Sequence, residues 1–311
     1  MLTTHPRLAA LVDAARARAA QQGPRRVGLV YPCDAAALAS ARQARDAGIA
    51  LPVLVGPRET ILRAAGEAGI AIDDLELVPT ADSGRAAAAQ AVAEVQRGAL
   101  AALMKGSLHT DELMSAVVDR QHGLRGERRI SHAFVFDLPR YPKLLALADC
   151  VVNIAPDLRT KQDILLNAVQ MLRGIGVMAP QVGIVAAVES VNPAIPATLD
   201  AQALVAWATA GALGDALVEG PFGFDNAFSA EAARIKNMDS RVAGNADLLL
   251  MPDLNAGNML YKSFVYVGAG DCAGLVLGAR VPIVLTSRAD SLQARLASLA
   301  LAVLTSEKLA P

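Results

Sequence analysis

An α/β fold built on mostly parallel sheets is what this sequence predicts, and two observations carry that expectation. Short β-rich runs alternate with Ala/Leu-rich runs almost from end to end. The β-rich runs are also unbroken apolar stretches, not alternating ones, which is the pattern of strands covered by helices on both faces. Taking the elements in order, "RVGLVYP" (26–32) reads as a strand and "DAAALASARQARDAG" (34–48) as a helix closed by Gly48. "LPVLVG" (51–56) is the next strand. The helix "SGRAAAAQAVAEVQRG" (83–98) follows, then the strand "ALAALMKG" (99–106). The rhythm continues through "ISHAFVFD" (130–137), "CVVNIAP" (150–156), the helix "KQDILLNAVQMLRGIG" (161–176) and "QVGIVAAV" (181–188). It ends with "ALVEG" (216–220), "ADLLLMPD" (246–253), "AGLVLG" (273–278) and "VPIVLT" (281–286).

Composition narrows the function classes. The 311 residues are 53% hydrophobic and 19% charged, with a net charge of −1. A balance so near zero gives no reason to expect nucleic acid or an anionic membrane as partner. No apolar stretch reaches about 18 residues without a charge or a breaker, so the apolar content belongs to a core and no membrane span is expected. The start, "MLTTHPRLAALVDAARARAA", carries charges throughout and reads as an amphipathic helix, not a secretory signal. Cys33, Cys150 and Cys272 are odd in number and far apart, which fits a reducing cytoplasm without disulfides.

In open parallel sheets ligands collect beyond the carboxyl ends of the strands, where helix amino termini also point. The residues leaving each apolar run are therefore the candidates. "VLTSRADSLQAR" (284–295) leaves its strand through Ser287, Arg288 and Asp290. "AALM" is followed by Lys105, Gly106 and Ser107, "ALVEG" by "PFGFDNAFSAEAARIK", and "DLLLM" by "PDLNAGNMLYK" with Asn255, Gly257 and Asn258. Glycines admit close backbone approach, N–H groups donate, and fixed cations neutralise, so the accumulation suits a phosphate-bearing ligand. Each turn has a plainer reading. Asp290 with Gln293 makes a capping box; Thr110 or Ser107 caps the helix of "KGSLHTDELM"; Asn255 caps that of "PDLNAGNM". Gly257 and Asn258, poor helix formers in a first turn, weigh against the last of these.

Other constellations are weaker. His109, His122 and His132 lie close together in sequence without a metal-ligand spacing, so no metal is expected. "GAGDCA" (268–273) matches a dinucleotide fingerprint formally, but the glycine, proline and β-branched residues after it cannot form the required helix. Cys33 after its strand is either a nucleophile or a buried small residue.

The segments "MKGSLHTDELM", "ISHAFVFDLPRYPK", "NIAPDLRTKQDI", "AVESVNP", "GPFGFDNAFSAEAARIK", "VAGNADLLLMPDLNAGNMLYK" and "LGARVPIVLTSRADS" resemble the phosphate acetyltransferase/phosphate butyryltransferase family from about residue 5 to the end. They look nearest to the butyryltransferase-like branch that also occurs fused behind an enoyl-CoA hydratase-like domain, of which only the transferase part is expected here. The resemblance implies an isocitrate/isopropylmalate-dehydrogenase-like fold of two α/β domains flanking a cleft, usually as a homodimer. On that pattern residues 1–145 plus 281–311 form the first domain and 146–280 the second. The implied reaction is acyl-CoA + phosphate ⇌ acyl phosphate + CoA, with CoA, acyl-CoA and phosphate as substrates and no tightly bound cofactor, metal or nicotinamide. Ser287 and Arg288 match the family's Ser-Arg pair beside the reacting groups, and Asn255, Gly257 and Asn258 match a turn lining the same cleft. Lys105, Gly106 and Ser107 are expected on the opposite wall.

Two departures stand out. The acetyl-specific branch has an arginine after "DTL"; here "DEL" precedes Met114. Its basic aspartate, seven residues after the serine, falls on Ala294, which leaves Asp290 as base or the thiol deprotonated otherwise. A catalytically silent acyl-CoA or acyl-phosphate binder is the first alternative. An NAD-dependent dehydrogenase of the same fold is the second, opposed by the scatter of Asp225, Asp253 and Asp290.

Overall fold

The computed structural model describes residues 5–285 and 290–306. The chain divides into two compact units, one made of 8–128 with 273–311 and the other of 1–7 with 129–272. The α/β class expected from the run pattern is the class observed.

The first unit begins with α1 (Pro6–Gln22), whose Leu8, Leu11, Val12, Ala15 and Ala19 recur at helical spacing and are buried. Then come β1 (Arg25–Val30), α2 (Ala35–Asp46), β2 (Ala50–Gly56), α3 (Arg58–Ala68), β3 (Glu76–Pro79), α4 (Gly84–Gln96), β4 (Ala102–Lys105) and α5 (Thr110–Val117). The expected helix boundaries have clear chemical causes. Asp34 caps α2 by accepting from the Ala37 N–H, Ser83 caps α4, and Gly48 takes φ +68° after α2. The half-exposed edge strand β3 has no counterpart among the expected elements, because its "ELVP" lacks an apolar run. β1 lies between β2 and β4, parallel to both.

The second unit contains β5 (Ser131–Asp137), β6 (Leu145–Ala148), α6 (Leu158–Gly174), β7 (Gln181–Val185), α7 (Pro196–Trp207), β8 (Leu217–Phe222), α8 (Phe224–Phe228), α9 (Ala230–Ile235), β9 (Leu248–Leu250) and α10 (Leu254–Tyr266). Its strand order is β5-β6-β9-β7-β8, antiparallel only between β5 and β6. Phe136, Tyr141, Leu145, Phe222, Leu249 and Phe264 are among its buried core residues, and the Tyr141 hydroxyl donates to the Ala246 carbonyl at 2.7 Å. The chain then supplies β10 (Asp271–Leu277), β11 (Ile283–Val284) and α11 (Leu292–Ser306). In the first unit β11 runs parallel to β4, with Val284 level with Met104, and antiparallel to β10.

Two expectations need correction. "CVVNIAP" is not a strand: the strand is β6, and the chain turns at Asp149 because that carboxylate collects the backbone N–H groups that follow. The units also meet at different points from the 145/146 and 280/281 boundaries. The first would cut β6, whose Leu145 pairs with Phe136 of β5. The second would separate β10 from β11, which pair through Val276 and Ile283.

Candidate functional site

In the first unit the exits of β1 and β4 are stitched together. Tyr31 follows β1 in the left-handed region, at φ +55°, a strained setting for a bulky residue. Its carbonyl accepts from the N–H groups of Cys33 and Ser107, both at 2.9 Å, and from the Ser107 hydroxyl at 2.8 Å. That hydroxyl in turn accepts from the Cys33 N–H at 3.0 Å. The Gly106 N–H donates to Val30 at 2.9 Å, and a Cβ at Gly106 would stand 2.5 Å from the carbonyl oxygens of both Val30 and Tyr31. Only glycine fits so close to two carbonyls. Gly106→Ala is expected to lower stability by about 2 kcal/mol, the cost of forcing atoms into a packed site, read as an earlier urea midpoint. An unchanged midpoint would show that the two exits are not locked.

This stitching places Lys105, Ser107, His109 and Thr110 beside Asp34 and the first turn of α2. Together with Arg295 they line a pocket of about 490 Å³. The Lys105 ammonium lies 3.3 Å from the Gly106 carbonyl. A second pocket, about 460 Å³, lies against α4 and α5, but Asp111, Glu112 and Asp119 line it and disfavour an anion. The capping expectation for α5 is corrected: His109 occupies the cap position and Glu112 accepts from its N–H at 2.9 Å, while Ser107 holds the β1 exit. Cys33 is half-buried, and the nucleophile reading is not supported. Burial first, then the nearby Asp82 and Asp34 carboxylates, push its thiol up to about 12, far from a thiolate nucleophile.

Ser287 and Arg288 lie outside the described residues. The described chain reaches that segment one residue past Val284 and leaves it at Asp290. The Asp290–Gln293 capping box is corrected, because Ser291 starts α11 by accepting from the Ala294 N–H at 3.0 Å. The Asp290 carbonyl accepts from Arg295 Nε at 3.4 Å.

In the second unit Asp253, not Asn255, caps α10 through the Ala256 N–H at 3.0 Å. Asn255 is exposed on the first turn. Gly257 is buried, a Cβ there would stand 2.4 Å from the Asp149 carbonyl, and Asn258 Nδ2 donates to the Cys150 carbonyl at 3.1 Å. Both residues thus fasten α10 to the 149–153 turn. In the "PFGFDN" exit, Lys236 pairs with Glu189 at 2.6 Å and with Asp225 at 3.2 Å, and Asn226 donates to Glu189. These charges satisfy one another. Among the described residues no three His, Cys, Asp or Glu side chains are grouped to hold a metal, and no helix is long and apolar enough to cross a membrane.

His132, buried beside Asp149, has a consequence for pH. Burial, offset only in part by the Asp149 carboxylate, pulls its imidazole from 6.5 down to about 4. The unfolded chain then binds more protons than the folded one across that window, so stability falls as pH drops through it. The expected loss from pH 7 to pH 5 is on the order of 2 kcal/mol. Urea midpoints of the natural chain and of His132→Phe at both pH values check this, and equal acid losses in the two proteins would remove the assignment.

Comparison with known proteins adds a family. Residues 80–303 match the model described as phosphate acetyl/butaryl transferase. The chain is 48% identical over 294 residues to a phosphate acetyltransferase of Rhizobium meliloti, covering 94% of this chain and 92% of that protein. It is 36% identical to a phosphate butyryltransferase of Clostridium acetobutylicum, covering 90% and 93% of the two chains. The structure is similar to that of a branched-chain phosphotransacylase from Enterococcus faecalis V583, with a TM-score of 0.80, 28% identity, and 91% and 99% of the chains covered. The chain therefore belongs to the phosphate acetyltransferase/phosphate butyryltransferase family.

Proposed function

We propose that this protein moves a short acyl group between CoA and inorganic phosphate. A phosphate oxygen attacks the thioester carbonyl carbon, the C–S bond breaks, and CoA leaves as thiolate and takes up a proton. The family membership, with 48% identity to a phosphate acetyltransferase along nearly the whole chain, is the observation that carries this reading. The pocket beside Lys105 and Ser107 supports it, because it offers fixed cations beyond the carboxyl ends of parallel strands. The protein's task is to hold two reactants in line, neutralise phosphate and stabilise the oxyanion, so direct attack in a ternary complex needs no covalent enzyme intermediate. In this reading Arg288 binds phosphate, Ser287 hydrogen-bonds the leaving sulfur or the oxyanion, and Asp290 accepts the thiol proton in the reverse direction, when CoA attacks acyl phosphate. Lys105, with the backbone at Gly106 and Ser107, lines one wall. Asn255 holds a phosphate oxygen, with Asn258 positioning that helix through Cys150; the Ala256 and Gly257 N–H groups, expected to help, are instead taken by Asp253. A cytoplasmic homodimer that uses no metal or nicotinamide completes the proposal.

The test is thiol release from acetyl-, propionyl-, butyryl- and longer CoA thioesters with and without phosphate. Release only when phosphate is present marks the transferase and ranks the acyl chains. Ala294 in place of the family's aspartate and Met114 in place of its arginine favour one rival, a silent acyl-CoA binder. Ligand-dependent stabilisation without turnover would establish that rival instead.

A further inference from the structure

We infer that Arg295 is a binding residue for a phosphate group in the pocket walled by the first turns of α2 and α5. The inference deepens the transferase reading and rests on it for the source of that phosphate. α11 is buried along almost its whole length, and Arg295 is the only charged side chain in it, 8% exposed. It stands in the fourth position of the helix, where a cation opposes the helix dipole, and burying a guanidinium is itself costly. Helix propensity does not ask for it there. What it does meet is the pocket of about 490 Å³ that Lys105 also lines. Its Nε is tied to the Asp290 carbonyl at 3.4 Å, which holds the side chain along the pocket wall. Guanidinium geometry suits phosphate oxygens taken two at a time. Asp34 is the carboxylate lining this pocket, and its Oδ1 accepts from the Ala37 N–H at 2.7 Å. The volume lies within the range of about 300–1,000 Å³ usual for small-molecule sites, so either orthophosphate or the phosphorylated end of the coenzyme fits. The shared chemistry is the phosphate group, and the test separates its two sources.

The experiment uses the full chain, varying phosphate and acyl-CoA separately. Arg295→Gln is expected to raise one of the two KM values at least about tenfold, the loss of a charge-assisted hydrogen bond, with Arg295→Lys partly restoring it. A rise for phosphate assigns orthophosphate. A rise for acyl-CoA that disappears with the dephospho-CoA thioester assigns the coenzyme's phosphate. Both KM values unchanged in a folded variant would overturn the inference. Loss of a buried cation can also unfold α11, so Asp34→Asn is the second variant: asparagine caps a helix as well as aspartate, and only the negative charge is lost. It is expected to lower the same KM severalfold, and an unchanged or raised value counts against the inference. Thermal stabilisation by phosphate or CoA is read without turnover. If the natural chain is stabilised, Arg295→Gln is not, and no phosphate-dependent thiol release occurs, the transferase reading fails while Arg295 keeps its role.

Discussion

Arg288→Ala is expected to lower the rate of acyl-phosphate formation at least about a hundredfold while the thermal transition stays near that of the natural chain. Phosphate attack on a thioester gathers negative charge on the carbonyl oxygen, the incoming phosphate and the departing sulfur at once. A fixed guanidinium offsets that charge without having to reorganise at the moment of reaction, a contribution of about 3 kcal/mol by comparison with other oxyanion donors. β11 is parallel to β4 and Val284 is level with Met104, so the described chain reaches Leu285 on the side where Lys105 opens its turn. It resumes at Asp290, and Ser291 starts α11 by accepting from the Ala294 N–H at 3.0 Å. The Ser291 cap is untouched by Arg288→Ala, which is why stability should hold while rate falls. Steady-state assay at saturating acyl-CoA and differential scanning calorimetry check the two halves. A variant as active as the natural chain would take Arg288 out of the site, and a collapsed transition would make its role structural.

The fold was legible wherever one residue's chemistry decides an element. Asp34 and Ser83 start helices, Gly48 ends one, and the uninterrupted valine and leucine runs form strands. It was illegible where a residue distant in space decides. "CVVNIAP" has the apolar, β-branched content of a strand, and periodicity has no means of showing that Asp149 gathers its N–H groups into a turn. The same limit affects the site. Gly106 and Gly257 suggest close approach to a ligand, but what approaches is the backbone of Val30 and Tyr31 in one case and of Asp149 in the other. Arg295 looks in sequence like a surface cation on a helix; only the burial of α11 exposes its oddity. Ser291 takes the capping role that the sequence suggests for Asp290.

Asp149→Ala is expected to cost about 3 kcal/mol of stability, because it removes the acceptor of five hydrogen bonds at once. The carboxylate, 3% exposed, accepts from the N–H groups of Val151 at 2.8 Å and Val152 at 3.0 Å through one oxygen. Through the other it accepts from His132 N at 3.2 Å, Asn153 N at 3.3 Å and Asn153 Nδ2 at 2.6 Å. A methyl group replaces none of these. The loss should also reach α10, since Gly257 packs on the Asp149 carbonyl and Asn258 holds that of Cys150. A displaced turn moves the helix start that carries Asn255, so the phosphate KM should rise along with the loss of stability. Asp149→Asn keeps one acceptor oxygen but turns an amide toward the remaining donors, and should fall between alanine and the natural residue. A double-mutant cycle with Asn153→Ala isolates the shared bond: the two losses should add to more than the double variant shows, because either change alone already breaks the 2.6 Å contact. An Asp149→Ala midpoint within about 1 kcal/mol of the natural chain would mean that the turn is held by packing and that Asp149 is incidental to it.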